Sequence, residues 1–225
     1  MADKLTDKAK IASYQKEGWV IENIFDSAEI GEFTLTFADV LKLQMRKLRL
    51  EITGDINEDV KTLNARSSVA MTETMGICRN TSAGHKLAAN PKLNGVSAGL
   101  LEGDTNLDRR LVISGPSFFV NIPSSNERKY TWHSEQNWYP KRRNFLNVWC
   151  PIVVDRVDNN SMAVMTGSHD TDWFYFSEYT GYDGTFDEKA NVQYEIPESF
   201  LGKYKSEVPP VAIGQALFFN GKLVH

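Results

Sequence analysis

The sequence predicts an α+β chain that is mainly β in its second half: a mostly helical part over residues 1–108, then an antiparallel β-core over 109–225, in a single domain. Three observations predict it. In the first hundred positions apolar residues recur at the three- and four-residue spacing of amphipathic helices. Beyond Arg110, short runs rich in Val, Ile, Phe, Tyr and Trp alternate with turn formers. A chain of 225 residues, 41% hydrophobic and 24% charged, is long enough to bury one sizeable core.

The elements follow in order. Residues 18–25 (GWVIENIF) read as a β-branched and aromatic strand. It is ended by Asp26-Ser27, good helix-capping chemistry, with Glu29 in the first turn. Ile30, Phe33, Phe37, Val40, Leu41, Leu48 and Ile52 then repeat at helical spacing, predicting one long helix over 27–52, closed near Gly54. A second helix is expected over 57–76, and Asn90-Pro91 opens a third running to about Gly103.

The β-half comprises LVISGPSFFVNIP, FLNVWCPIVV, SMAVMT, VQYEI and GQALFF. Turns such as Pro123-Ser124-Ser125-Asn126, Asp158-Asn159-Asn160 and Tyr182-Asp183-Gly184 separate them. Long intervening loops fit a sandwich or jelly roll better than an up-and-down barrel, although periodicity alone does not choose between them.

Composition narrows the function classes. A formal net charge of −4 and a pI near 5.6 provide no electrostatic footprint for nucleic acid. No run of about 18 apolar residues is available to span a bilayer. The amino-terminal stretch MADKLTDKAKIASYQKEGW lacks the apolar core of a secretory signal, so a cytoplasmic location is expected. Cys78 and Cys150 lie far apart in segments of different kind, which favours reduced, buried thiols over a disulfide framework.

The chemistry lies in TWHSEQNWYP and GQALFFNGKLVH. His133 and Glu135 are two residues apart, so on an extended segment both side chains share one face and Ser134 points the other way. His225 follows the strand GQALFF and would deliver a third ligand from elsewhere in the sheet. Two imidazoles and a carboxylate on one side of an ion, with the other positions open, suit non-haem Fe(II) and its reaction with oxygen. A lone His-x-Glu is common by chance. Here Trp132, Trp138, Tyr139 and Pro140 surround it, an aromatic setting typical of a cavity, with plain core packing as the alternative.

WHSEQNWYP, FLNVWCPI, VDNNSMAVMTGSH and PPVAIGQALFFNGKLVH, in that order and at those separations, resemble the phytanoyl-CoA dioxygenase family of Fe(II)- and 2-oxoglutarate-dependent oxygenases. KEGWVIENIFDSAEI resembles the opening strand and helix of that family, so the likeness covers nearly the whole chain, least clearly over 55–110. The resemblance implies a double-stranded β-helix, a cupin-like jelly roll with the N-terminal helices packed on one side. It implies His133, Glu135 and His225 as catalytic iron ligands, with Glu135 where the family usually has Asp. Glutamate still reaches the ion, whereas a halogenating relative would need a small residue there.

By the same likeness Trp149 and Asn121 line the 2-oxoglutarate pocket. Trp138, Arg142 (within Lys141-Arg142-Arg143) and His169 (within Gly167-Ser168-His169) are candidates for substrate contact. For the last two, a solvated charge run and a hairpin turn with an exposed histidine are the plainer readings. In the family the distal histidine is followed by a Ser-like residue and, about ten residues on, by an Arg that grips the co-substrate carboxylate in a bidentate pair. Neither follows His225 here, nor does the last strand of the jelly roll. Either the natural chain runs on, another chain completes the fold, or the protein is a remnant; the unpaired edge favours the first.

The activity so implied uses Fe(II), O2 and 2-oxoglutarate to hydroxylate a small molecule, with succinate as co-product. A cupin-like metal enzyme without 2-oxoglutarate, and a non-catalytic metal-binding protein, are the rival readings. Neither the substrate nor the oligomeric state is legible in the residues, and fold likeness does not choose a substrate.

Overall fold

The structure is a computed structural model and describes residues 7–102, 116–120, 132–137, 144–153, 162–170, 196 and 198–225. The chain enters through α1 (Lys8–Glu17), capped by Asp7, whose side chain accepts from Lys10 N, and closed by Gly18 in the left-handed region at φ 86°. Strand β1 (Trp19–Asn23) follows, as the sequence predicts. Asp26 then starts α2 (Ser27–Lys47) with a reciprocal capping box: its carboxylate accepts from Ala28 N and Glu29 N, while the Glu29 carboxylate accepts from Asp26 N.

Helix α2 stops five residues short of the expected Ile52. Arg49 adopts φ 55°, Arg49 N–H donates to Arg46 O, and Leu50 N–H donates to Met45 O. These are the two bonds of a Schellman closure, with arginine where glycine is usual. Leu50 and Ile52 still pack on the helical core, but from non-helical chain, which is why the apolar periodicity overran the helix.

The single helix expected over 57–76 is two, α3 (Ile56–Arg66) and α4 (Ser68–Arg79), broken at Ser67. Ser67 is extended (φ −160°, ψ 102°), and its hydroxyl accepts from Ala70 N. A short helix not anticipated, α5 (Ser82–Ala88), comes next. Then α6 (Pro91–Glu102) begins with proline at its first position, where no intrahelical donor is needed, and Asn90 caps Lys92 N and Leu93 N. Helices α2–α5 bury Leu41, Met45, Leu63, Met71 and Cys78 against one another. Each of the larger side chains contributes about 1.5–3 kcal/mol through removal from water.

Five strands are seen among the described residues: β1, β2 (Leu146–Trp149), β3 (Val164–Thr166), β4 (Lys205–Glu207) and β5 (Gln215–Asn220). They form two antiparallel sheets, one in the order β1-β5-β2 and one pairing β3 with β4. Strand β4 was not anticipated. Of the expected strand over 111–123, residues 116–120 are not strand; the rest of it, and VQYEI apart from Ile196, lie outside the described residues.

Alternation sorts the sheet faces. Val20, Leu146, Val148, Ala216 and Phe218 meet α1 and α6 through Ile11, Tyr14, Val96 and Leu100. On the other face Trp19, Ile21, Trp149, Leu217 and Phe219 join Val164 of β3, together with Val211 and Leu223. An apolar cluster is therefore shared by the two sheets, as in a sandwich. A helical first part followed by antiparallel strands agrees with the expected class; the described strands do not by themselves close a jelly roll. No helix among the described residues is long and apolar enough to cross a membrane.

Candidate metal centre

The site is built on a short turn. After β5, Asn220 O accepts from Leu223 N and Asn220 Oδ1 accepts from Lys222 N, reversing the chain over Gly221 and Lys222. The returning segment adds to the second sheet. Val224 O accepts from Met165 N of β3 at 2.8 Å, and His225 exchanges both backbone bonds with His133, at 2.9 and 3.0 Å. The order across this layer is thus β4, β3, the 224–225 segment, and the segment bearing His133. Reciprocal bonding marks the hydrogen-bonded pair of an antiparallel ladder, whose side chains share one face, and it sets the two imidazoles side by side, ring centroids 4.3 Å apart.

Glu135 does not continue an extended strand as expected. It opens a 3-10 turn over Glu135–Asn137, held because Gln136 N–H donates to Gly221 O. The carboxylate nevertheless turns toward the imidazoles, and Glu135 Oε1 lies 3.8 Å from His225 Nε2. One ligand atom from each of His133, Glu135 and His225 falls within 4.8 Å of the others. Imidazole and carboxylate ligands bind first-row metals at about 2.0–2.2 Å, so two atoms on one ion are at most about 4.2 Å apart. The observed spacing fits, with small side-chain rotations closing the widest gap.

The tautomer of His225 follows from its partner. Its Nδ1 is 2.9 Å from Leu223 O, and a carbonyl only accepts, so Nδ1 carries a proton and Nε2 is the nitrogen left to bind an ion. Phe219 packs on the same ring, centroids 4.6 Å apart. His133 and the His225 side chain are only 8% and 6% exposed, whereas the Glu135 side chain, at 28%, lies toward the open side.

Two serines, both 0% exposed, brace this arrangement. Ser134 Oγ donates to Gly221 O at 3.0 Å. Ser168 Oγ accepts from Val224 N at 2.9 Å, beside the distal histidine. Gly221 completes the knot: its N–H donates to Phe145 O, and a β-carbon there would fall 2.2 Å from the Phe145 ring. Sequence reasoning missed these roles, apart from reading Ser168 as part of a turn, because a serine or glycine signals its partner only once the partner is in place.

The other expected site residues are placed unequally. Trp149 ends β2 in the apolar cluster that contains Phe219, and so on the sheet face toward His225. His169 is not brought to the triad. Its Nε2 is 3.0 Å from Gln15 O of α1, and its ring lies against Gly18, where a β-carbon would come within 2.5 Å of Nδ1. That contact ties the second sheet to the N-terminal helix. Asn121, Trp138 and Arg142 lie outside the described residues.

A two-histidine, one-carboxylate cluster carried on paired antiparallel segments defines a candidate mononuclear metal site of the kind found in non-haem metal oxygenases. Residues 14–225 match the family described as phytanoyl-CoA dioxygenase (PhyH), and the chain belongs to that family. Its fold is of the cupin, jelly-roll type, and its members are in general Fe(II)- and 2-oxoglutarate-dependent oxygenases. No curated protein matches the chain.

Proposed function

We propose that this protein is an Fe(II)- and 2-oxoglutarate-dependent dioxygenase that hydroxylates a small-molecule substrate, with His133, Glu135 and His225 as the metal ligands. The observation that carries the reading is the convergence of these three side chains in a chain of this family. When bound, ferrous iron supplies the oxygen and 2-oxoglutarate chemistry that carbon and nitrogen side chains cannot. The chain's own residues do the rest. His225 offers Nε2 because Leu223 O holds the proton on Nδ1. Glu135, the more exposed ligand, supplies the anionic oxygen; with two neutral imidazoles it leaves a divalent ion with net positive charge, a favourable environment for a dicarboxylate co-substrate. Phe219 and the buried flank of the site exclude water from the histidine side. Trp149 on β2, with Asn121, is proposed to line the co-substrate pocket, and Trp138 and Arg142 to meet the substrate.

The test is an anaerobic Fe(II) titration with and without 2-oxoglutarate. The expected result is one ferrous ion per chain and a visible metal-to-ligand charge-transfer band that appears only when both are present. Iron affinity unchanged in His133→Ala or Glu135→Ala would remove the triad from consideration, and absence of the band in the wild type would exclude chelation of 2-oxoglutarate.

A further inference from the structure

One atom of the Asn147 side chain, Nδ2, is left without a partner among the described residues. Leu146 and Val148 pack toward α1 and α6, while Trp149 packs toward the opposite cluster. Alternation therefore sets Asn147 on the Trp149 face of β2. Its register partner is Phe219, the residue whose ring rests on His225. Directly opposed residues in an antiparallel pair have their β-carbons about 4.5–5.5 Å apart, so the amide lies in the row of the sheet that meets the distal ligand. Trp149 is one row further, opposite Leu217. Asn147 Nδ2 is shielded from solvent and has no hydrogen-bond partner among the described residues.

A shielded N–H donor without a protein acceptor is rare in folded proteins, and one beside a ligand site takes its acceptor from ordered water or from the ligand that displaces it. An amide donor on this row would face a ligand that is held at the metal and extends toward Trp149. The ion's net positive charge and the donor together select an anionic oxygen. We infer that Asn147 is a further co-substrate-binding residue, whose side-chain amide donates to a carboxylate oxygen of 2-oxoglutarate. This inference rests on the oxygenase reading given above.

The test uses the full chain loaded anaerobically with Fe(II) and titrated with 2-oxoglutarate, read by the charge-transfer band, for the wild type, Asn147→Ala and Asn147→Leu. Loss of a hydrogen bond to a charged acceptor should weaken 2-oxoglutarate binding roughly 10- to 100-fold in both variants. Fe(II) affinity should stay within about twofold of wild type, since Asn147 is not a ligand. Asn147→Leu, which keeps the side-chain volume, guards against a folding defect in the alanine variant, and its metal-free melting temperature should equal or exceed that of the wild type because it removes an unsatisfied amide. Unchanged 2-oxoglutarate affinity in the variants, or a parallel fall in Fe(II) affinity, overturns the inference while leaving the oxygenase reading intact. A wild type that binds iron but shows no band overturns both.

Discussion

Ser134 and Ser168 are equally buried and each makes one short hydrogen bond to the segment that carries His225, yet replacing them by alanine should not be equivalent. In Ser134→Ala the acceptor Gly221 O keeps a second donor, Gln136 N at 2.9 Å, and Gln136 N keeps Gly221 O. Ser134 Oγ also accepts from Gln136 N at 3.3 Å, the longer branch of a shared donor, but nothing is orphaned, so the loss is close to that of one net hydrogen bond, about 1 kcal/mol. In Ser168→Ala the Val224 N–H, on a residue 0% exposed, loses its only partner among the described residues. The loss then includes the desolvation of a stranded donor, bringing it to about 2–3 kcal/mol. For a chain of this size these figures correspond to melting temperatures lowered by about 2–4 °C and about 4–12 °C. Urea unfolding of the metal-free protein, with melting followed by circular dichroism, measures both. Equal losses, or a larger loss in Ser134→Ala, would refute the accounting of donors and acceptors on which the description of the site rests. Because Val224 adjoins His225, Ser168→Ala should also lower Fe(II) affinity by about tenfold, the lower end of the range for groups that orient metal ligands.

Gly221→Ala drives a β-carbon into the Phe145 ring. It should destabilise the fold by about 1–3 kcal/mol, with a matching fall in iron affinity that Phe145→Leu partly restores when melting and Fe(II) titration are compared across the double-mutant cycle. Burial raises the pKa of Asp59, but hydrogen bonds from Thr53 N, Thr53 Oγ1 and Gly54 N, with the Lys42 charge, outweigh it and hold the carboxyl below its usual 3.8. A depressed folded-state value adds stability that is complete above 3.8 and is lost as pH falls through the lower folded-state value. Asp59→Ala should therefore be less stable than wild type at neutral pH by about 2–3 kcal/mol, with the gap narrowing only below the ordinary carboxyl range in acid titrations of urea unfolding. Burial pushes the Cys78 thiol up to about 11 and the Cys150 thiol up to about 12. Both are free, Cys78 buried and Cys150 half-buried, so native protein at about pH 8 should react slowly with a thiol-specific reagent, Cys78 slower than Cys150, and consume two equivalents quickly only on unfolding.

Much of the fold was legible because its signals are local. Asp26 and Glu29 announce the start of α2, Asn90-Pro91 the start of α6, and the β-branched and aromatic runs of β1, β2 and β5 their strands. The misreadings came where a distant contact overrode a local pattern. Leu50 and Ile52 look helical in periodicity because they pack on the helical core, but a left-handed arginine had already turned the chain. Ser67 reads as an ordinary helical residue until its hydroxyl is seen capping the next helix.

His133, Glu135 and His225 stand out in the sequence as a candidate ligand set by residue type, spacing and order, because metal chemistry accepts few side chains and the motifs around them are specific. That these residues meet was decided only by the tertiary structure. Glu135 leaves the expected extended line for a 3-10 turn, and its carboxylate still converges because Gly221 holds that turn through Gln136. The proton on His225 Nδ1, the two serines that brace the distal segment, and the unsatisfied amide of Asn147 are likewise invisible in one dimension. Side-chain identity sets which atoms can bind a metal, but hydrogen bonds between residues ninety positions apart set where those atoms lie, and no short window of sequence contains both partners.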